Sequence, residues 1–323
     1  MSNLGLVRLS LGTAAALGLS KIWIGVKPST AYLLTYVNGK CRASCGFCTQ
    51  AKTSTADADL LSRVTWPPYP LQEVLDKLSN SSIRRICIQA VNVEGIVEQV
   101  LSLIRSIKLR VDTPISLSIH PLYDHQLKAL KDVGVERVTI PLDAANQNVF
   151  QRVKGDFYSW DEHWSGLKRA LNVFGKGRVG THLIVGLGES ELDMANTIQK
   201  LYDLGVYPGL FAFTPVKGTR MERYPRPSIE SYRRVQLLHY LITRGLSRVE
   251  LMEFNGNYVV KSFGISKERL KRIVKSGTPF LTSGCPNCNR PYYNEPPSGP
   301  FYNYPRPLKP DEVIRICEQL FHE

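Results

Sequence analysis

Residues 31–48 read Ala-Tyr-Leu-Leu-Thr-Tyr-Val-Asn-Gly-Lys-Cys41-Arg-Ala-Ser-Cys45-Gly-Phe-Cys48. An apolar run of strand length, Ala31 to Val37, delivers three cysteines at x3 and x2 spacing. Three thiolates can hold three irons of a [4Fe–4S] cluster and leave the fourth iron without a protein ligand. An electron-transfer ferredoxin saturates its cluster with four cysteines. An open iron instead lets a substrate or cofactor bind the metal directly. The competing assignments for such a trio are zinc and disulfides. Zinc normally takes four ligands, usually as two pairs, and the next cysteine along the chain is Cys87.

Outward from this stretch, apolar β-type runs alternate with helical patterns, the signature of βα units around a buried parallel sheet. Strands are expected near 31–37, 84–90, 114–119, 136–141, 179–185, 207–214, 248–254 and 279–283. Between them, sets such as Leu71, Val74, Leu75, Leu78 and Met194, Ile198, Leu201 give one apolar helical face. Eight strands predict an α/β fold, a TIM-type (β/α)8 barrel. The length of 323 residues suits one such barrel of about 250 residues with extensions. Three regions are expected: an N-terminal helical extension over 1–30, the barrel over 31–284, and a C-terminal segment over 285–323. The stretch Leu9 to Leu19 imitates a signal-peptide core, but it is Gly/Ala-rich and stops at Lys21, so a packed helix is expected there. The Pro/aromatic stretch 291–310 is expected to wrap the barrel in extended form, before a final helix over Asp311 to Phe321.

Hydrophobic content of 43% with 21% charged residues is ordinary for a globular protein and excludes wholesale disorder. The seven cysteines comprise the trio, Cys285-Pro-Asn-Cys288, and Cys87 and Cys317 inside apolar runs, which is metal spacing, not a disulfide framework. A net charge of +13 favours an acidic partner. Lys267, Arg269, Lys271, Arg272 and Lys275 form one local basic group on an expected helix, equally readable as a solvated face or a docking patch.

The trio, with Phe47 immediately before Cys48, resembles the radical S-adenosylmethionine (SAM) superfamily. The resemblance implies that SAM chelates the open iron of the [4Fe–4S] cluster and is cleaved to a 5′-deoxyadenosyl radical. It makes Cys41, Cys45 and Cys48 the catalytic metal ligands. Further matches stand at strand ends, where α/β barrels bind ligands. His182-Leu-Ile-Val-Gly-Leu-Gly-Glu189 is close to the family's Gly-x-Ile-x-Gly-x-x-Glu element beside adenine, with His182 in place of the first Gly. Ile184 would offer an apolar surface, and Gly186 and Gly188 would let backbone approach the nucleoside. Pro141-Leu-Asp143 resembles the Asn-Leu-Asp of biotin synthase, whose Asp bonds the SAM ribose; a helix N-cap is the alternative role for Asp143. Where the family has Gly-Gly-Glu, this chain has Ile-Cys87-Ile-Gln89-Ala90, and Gln89 is read as cofactor-binding beside Ile184, Gly186 and Glu189.

Biotin synthase also carries a ligand of a second cluster at the position of Cys87. Its other auxiliary cysteines and its Arg ligand have no counterparts, since Ser116-Leu-Ser118, Gly180 and Glu253-Phe-Asn-Gly-Asn257 stand there. A lone Cys285-x-x-Cys288 admits half a zinc site, a redox dithiol, or two ligands of a second cluster. At the mouth of a barrel already holding one cluster the last is expected, with Cys87 or Ser283 as third ligand, and Cys317 in the core. With Leu60-Leu-Ser-Arg-Val-Thr-Trp66-Pro and Cys285-Pro-Asn-Cys288-Asn-Arg-Pro-Tyr-Tyr-Asn-Glu, the chain resembles the archaeal two-component lipoyl synthases over nearly its whole length. That resemblance implies sulfur insertion into an octanoyl chain from an auxiliary, sacrificial cluster. It also implies an acidic lipoyl-carrier domain or glycine-cleavage carrier protein bearing octanoyl-lysine, a partner synthase component, a ferredoxin-type reductant and a cytoplasmic setting. No nucleic acid and no membrane are expected. Biotin synthase, a radical SAM enzyme without sulfur insertion, and a non-enzymatic Fe–S or zinc-ribbon nucleic-acid protein are the alternatives.

Overall fold

Six strands run parallel and side by side, and the computed structural model describes them within residues 5–321. They are β2 (Thr30–Thr35), β6 (Arg85–Gln89), β7 (Ile115–Ser118), β8 (Val135–Thr139), β9 (Val179–Val185) and β10 (Tyr207–Ala212). Their order follows the chain, as successive βα units require. Two antiparallel strands extend the sheet beyond β2: β1 (Leu6–Leu9) pairs with β2, and β5 (Pro68–Pro70) pairs with β1. The cysteine loop is followed by a small hairpin, β3 (Leu60–Leu61) and β4 (Val64–Thr65).

The helices are α1 (Leu11–Ala16), α2 (Leu71–Ser79), α3 (Ile96–Lys108), α4 (Asp124–Asp132), α5 (Gln147–Lys154), α6 (Trp160–Phe174), α7 (Glu191–Leu204), α8 (Ile229–Thr243), α9 (Lys267–Lys275) and α10 (Pro310–Phe321). Each crossover helix lays an apolar stripe on the sheet, as Leu71, Val74, Leu75 and Leu78 of α2 do. Side-chain oxygens start several of them: Asn146 caps α5, Ser159 caps α6, and Ser190 forms a capping box with Asp193 on α7. Alternation along each strand separates two layers. On β9, Val179, Thr181, Leu183 and Val185 pack under the helices, while Gly180, His182 and Ile184 face the inside of the curved sheet.

The α/β barrel-type core is as expected, and six of the eight expected strands are present. The other two are absent from the sheet. Residues 249–251 form a 3₁₀ turn that leads into β11 (Glu253–Phe254), which pairs only with β12 (Val260–Ser262). Thr278–Phe280 is another 3₁₀ turn, because Pro279 has no N–H to give a ladder, and Leu281 makes only a single bridge to Tyr304. The N-terminal region also differs from the expected helical extension. Residues 6–9 join the sheet as β1, and the helix spans only Leu11–Ala16.

The place of the missing staves is taken by irregular chain. On the free edge of β10, Leu210 N–H donates to Ser283 Oγ (2.8 Å), Leu210 C=O accepts from Arg290 Nη2 (3.1 Å), and Ala212 C=O accepts from Asn294 Nδ2 (2.8 Å). Across the barrel, Thr30 Oγ1 donates to Asn287 C=O (2.8 Å), Arg85 Nε to Pro286 C=O (2.9 Å), and Arg290 N–H to the Tyr32 hydroxyl (2.8 Å). Residues 283–294 therefore bridge β10 to the amino ends of β2 and β6 and satisfy the edge that a seventh strand would have covered. Tyr302 and Tyr304, farther along the tail, are buried on the outside.

Candidate active site

A cavity of about 320 Å³ fills the inside of the sheet. Every parallel strand contributes to its wall, through Tyr32, Cys87, Ser118, Thr139, His182 and Phe211. Six of the seven cysteines line it: Cys41, Cys45, Cys48, Cys87, Cys285 and Cys288. Cys317 instead packs on α10 against the core. No disulfide joins any of the seven.

The trio leaves the carboxyl end of β2 in a heavily bonded loop. Cys41 N–H donates to Gln50 C=O (2.8 Å), Cys48 N–H to Cys45 C=O (3.1 Å), and Gly46 N–H to Val153 C=O (2.6 Å). Lys40 Nζ ties the loop's far side through Thr49 C=O (2.9 Å) and Ala56 C=O (2.8 Å). Burial pushes the Cys45 and Cys48 thiols up to about 12, so at neutral pH the bare side chains keep their protons. Thiolates here need metal charge to offset desolvation. No group of three His, Cys, Asp or Glu side chains among the described residues is gathered closely enough for one metal ion. In a cluster each thiolate binds a different iron, so three cysteines of one cavity wall, thiols and no disulfide, are a fitting donor set.

Asp143 sits beside the trio with φ +66°, a conformation rare outside glycine. It does not cap α5, since Asn146 does. Its Oδ2 accepts from Lys154 Nζ (2.7 Å), a pair 9% and 3% exposed, and Lys154 also donates to Pro141 C=O (2.6 Å). Phe47 and Ile184 line the cavity. Gly186 and Glu189 do not reach it. Glu189 turns both oxygens back to its own loop, accepting from Gly186 N–H (2.7 Å) and Leu187 N–H (3.0 Å), and a Cβ on Gly186 would stand 2.8 Å from Pro227. Their place is to hold the turn that presents Ile184. Gln89 lines the cavity but faces the other cysteines, donating to Cys87 Sγ (3.1 Å).

Cys87 projects inward from β6 towards Cys285 and Cys288 on the bridging segment, and burial and these two neighbours raise its thiol well above the usual range. Cys288 Sγ lies 3.5 Å from the Tyr32 hydroxyl, which is free to donate because it accepts from Arg290 N–H. Ser283 turns its Oγ to Leu210 N–H. Tyr293 meets Phe211 edge-on at 5.7 Å in the cavity wall, whereas Tyr302 packs on Tyr232 outside.

Sequence reasoning assigned no role to Lys154, His120 or Arg290. Lys154 was marked by its position four residues after Phe150 on the apolar face of α5, where a charge needs a partner. Trp66 Nε1, His120 Nδ1, and Nε and Nη1 of Arg290 are buried without hydrogen-bond partners, and all three residues line the cavity. Unpaired polar atoms of this kind mark surfaces that a ligand completes. Burial, then the nearby Arg42, lowers His120 to about 4, so its ring is neutral.

Residues 35–201, more than half of the chain, match the family described as the Radical SAM superfamily. Biotin synthase of Christiangramia forsetii is 29% identical over 211 residues, 63% of this chain and 56% of that protein. Biotin synthase of Streptococcus agalactiae is 27% identical over 195 residues, 59% and 58% of the two. The chain thus spans little more than half the length of these curated relatives. Among solved structures, the [FeFe]-hydrogenase maturase HydG shares the fold with a TM-score of 0.53 at 15% identity, over 66% of this chain and 50% of that one. Methylornithine synthase does so with a TM-score of 0.53 at 12% identity, over 72% and 67%. The cysteine loop at the carboxyl end of the first parallel strand and the match over residues 35–201 lead to one conclusion: the chain belongs to the radical SAM superfamily and is a biotin synthase-like radical SAM enzyme, with a [4Fe–4S] cluster and SAM as its cofactors.

Proposed function

We propose that this enzyme inserts sulfur into an octanoyl chain carried on a protein lysine, as one component of a two-protein lipoyl synthase. The observation that carries the reading is the facing of two cysteine sets across one cavity. Cys41, Cys45 and Cys48 stand at the carboxyl end of the strands, and Cys87, Cys285 and Cys288 line the same cavity where residues 283–294 cross the amino ends. When bound, the cluster with SAM supplies a carbon radical able to take hydrogen from unactivated carbon. Cys87, Cys285 and Cys288 would hold a second iron–sulfur centre as the sulfur source. Between the sets, Phe211, Tyr293 and Trp66 make an apolar wall that keeps water out and suits an alkyl chain. His182, lowered to about 4 by burial, adds no charge to that space.

The acyl chain would arrive on an acidic lipoyl-carrier domain or glycine-cleavage carrier protein. A partner synthase component would add the other sulfur, and a ferredoxin-type protein would supply electrons in the cytoplasm. Among the described residues no helix is long and apolar enough to cross a membrane. Biotin synthase chemistry is the second reading, favoured by Cys87 and by the curated relatives' names.

Anaerobic reconstitution with iron and sulfide counting tests the proposal. Wild type should bind about eight irons and Cys285→Ala/Cys288→Ala about four, the double variant cleaving SAM but transferring no sulfur to an octanoylated carrier. Equal iron and equal sulfur transfer in the two proteins would sink it. Biotin formed from dethiobiotin would decide for the second reading.

A further inference from the structure

Arg290 is the half-buried group that neither the SAM site nor the cysteine ligands account for. Its guanidinium lies 3.7 Å over the Phe211 ring, with Nη2 donating to Leu210 C=O (3.1 Å) and Ser283 C=O (2.6 Å). These contacts fix the planar fork and use up both Nη2 hydrogens. Nε and Nη1 are buried with no partner. Among the described residues no carboxylate pairs with Arg290. The nearby Glu295, pushed up to about 8 chiefly by burial, keeps its proton at neutral pH.

A guanidinium whose Nε and Nη1 are buried with no counter-ion is costly unless something anionic stands against those atoms. The candidates within the same wall are Cys288, whose thiol Arg290 stabilises in its charged form, and Cys87, on which it acts in the same sense. Tyr32 adds a hydroxyl donor to Cys288, and Gln89 an amide donor to Cys87. Soft, anionic sulfur thus has donors waiting on two sides, and a full positive charge on a third.

We propose that Arg290 is a positioning residue for an anionic sulfur centre held by Cys87, Cys285 and Cys288: its Nε–H and Nη1–H donate to that sulfur, and its charge sets the centre's reduction potential. This rests on the second-centre reading above. Donors and positive charge favour the more reduced state, so removing them lowers the potential.

The test is a redox titration of the reconstituted full-length enzyme, followed by visible and EPR spectroscopy, with the first centre's SAM-dependent EPR signal as the folding control. Arg290→Gln should lower the second centre's potential by at least tenfold in the reduction equilibrium, about 59 mV for one electron, with Arg290→Lys in between. If Arg290→Gln instead loses the second centre's iron, retention by Arg290→Lys supports the assignment, and loss in both variants overturns it in favour of packing. Loss of iron in Cys285→Ala/Cys288→Ala with an unmoved potential in Arg290→Gln overturns the role of Arg290 and leaves the second centre standing. Unchanged iron in the cysteine variant removes the centre, and the role of Arg290 with it.

Discussion

Glu295 shows how far one side chain in the tail is committed to the folded state. It is 1% exposed, its Oε2 has no partner, and its carboxyl is pushed up to about 8 from 4.5, first by burial and against the pull of Arg290, Arg233 and Arg63. A carboxyl raised on folding binds its proton more tightly in the native state. Its contribution to stability is therefore complete below about pH 4.5 and lost as the pH rises through about 8. Glu295→Gln keeps the neutral shape and removes the titration. Its melting temperature should match wild type near pH 5 and exceed it near pH 8.5, as scanning fluorimetry across that range would read; parallel curves would contradict the assignment. Nothing in the sequence announces this residue, because Tyr-Tyr-Asn-Glu reads as polar tail until the fold buries it.

At the scale of elements, α5 carries the sharpest conflict between pattern and placement. Its apolar face, Val149, Phe150 and Val153, continues into Lys154, and the ammonium reaches Asp143 under the trio while lying 5.3 Å and 5.1 Å from the Phe150 and Tyr158 rings. Removing one member of such a buried pair leaves the other charge stranded. Lys154→Met should cost about 3–5 kcal/mol in chemical denaturation, and Asp143→Asn/Lys154→Met should recover part of that loss. Additive single losses would show that the two do not interact. The parallel strands were legible because Leu-, Ile- and Val-rich runs between amphipathic helices have few other uses. The expected strands at 248–254 and 279–283 failed locally: Glu250 and Glu253 break the first run, and Pro279 removes a donor from the second. The cysteine trio was legible from spacing alone. The placement of Cys87 in one cavity with Cys285 and Cys288 was not, since it depends on where an irregular segment meets β2, β6 and β10.

For the whole molecule, the surplus of 41 basic over 28 acidic side chains acts on encounter and not on fold. Part of it is exposed on α9. If an acidic acyl carrier is the partner, its affinity should fall about tenfold or more between 50 and 300 mM salt, as isothermal titration would measure. An affinity indifferent to salt would remove the charge argument and leave the cavity argument untouched.

The bridge of residues 283–294 also carries a calendar. Its bonds to Ser29 and Thr30 join positions more than 250 residues apart, whereas the trio precedes the bridge by most of the parallel strands. Early βα units can form on local contacts while the side facing β10 is still open, and the gap shuts only when residues 283–294 arrive. Metal delivery to Cys41, Cys45 and Cys48 therefore has an unobstructed window that delivery to the proposed centre on Cys285 and Cys288 would lack. If a second centre is held there as proposed, every later refilling would have to reopen, for a moment, a joint that closes only after the six parallel strands have been made.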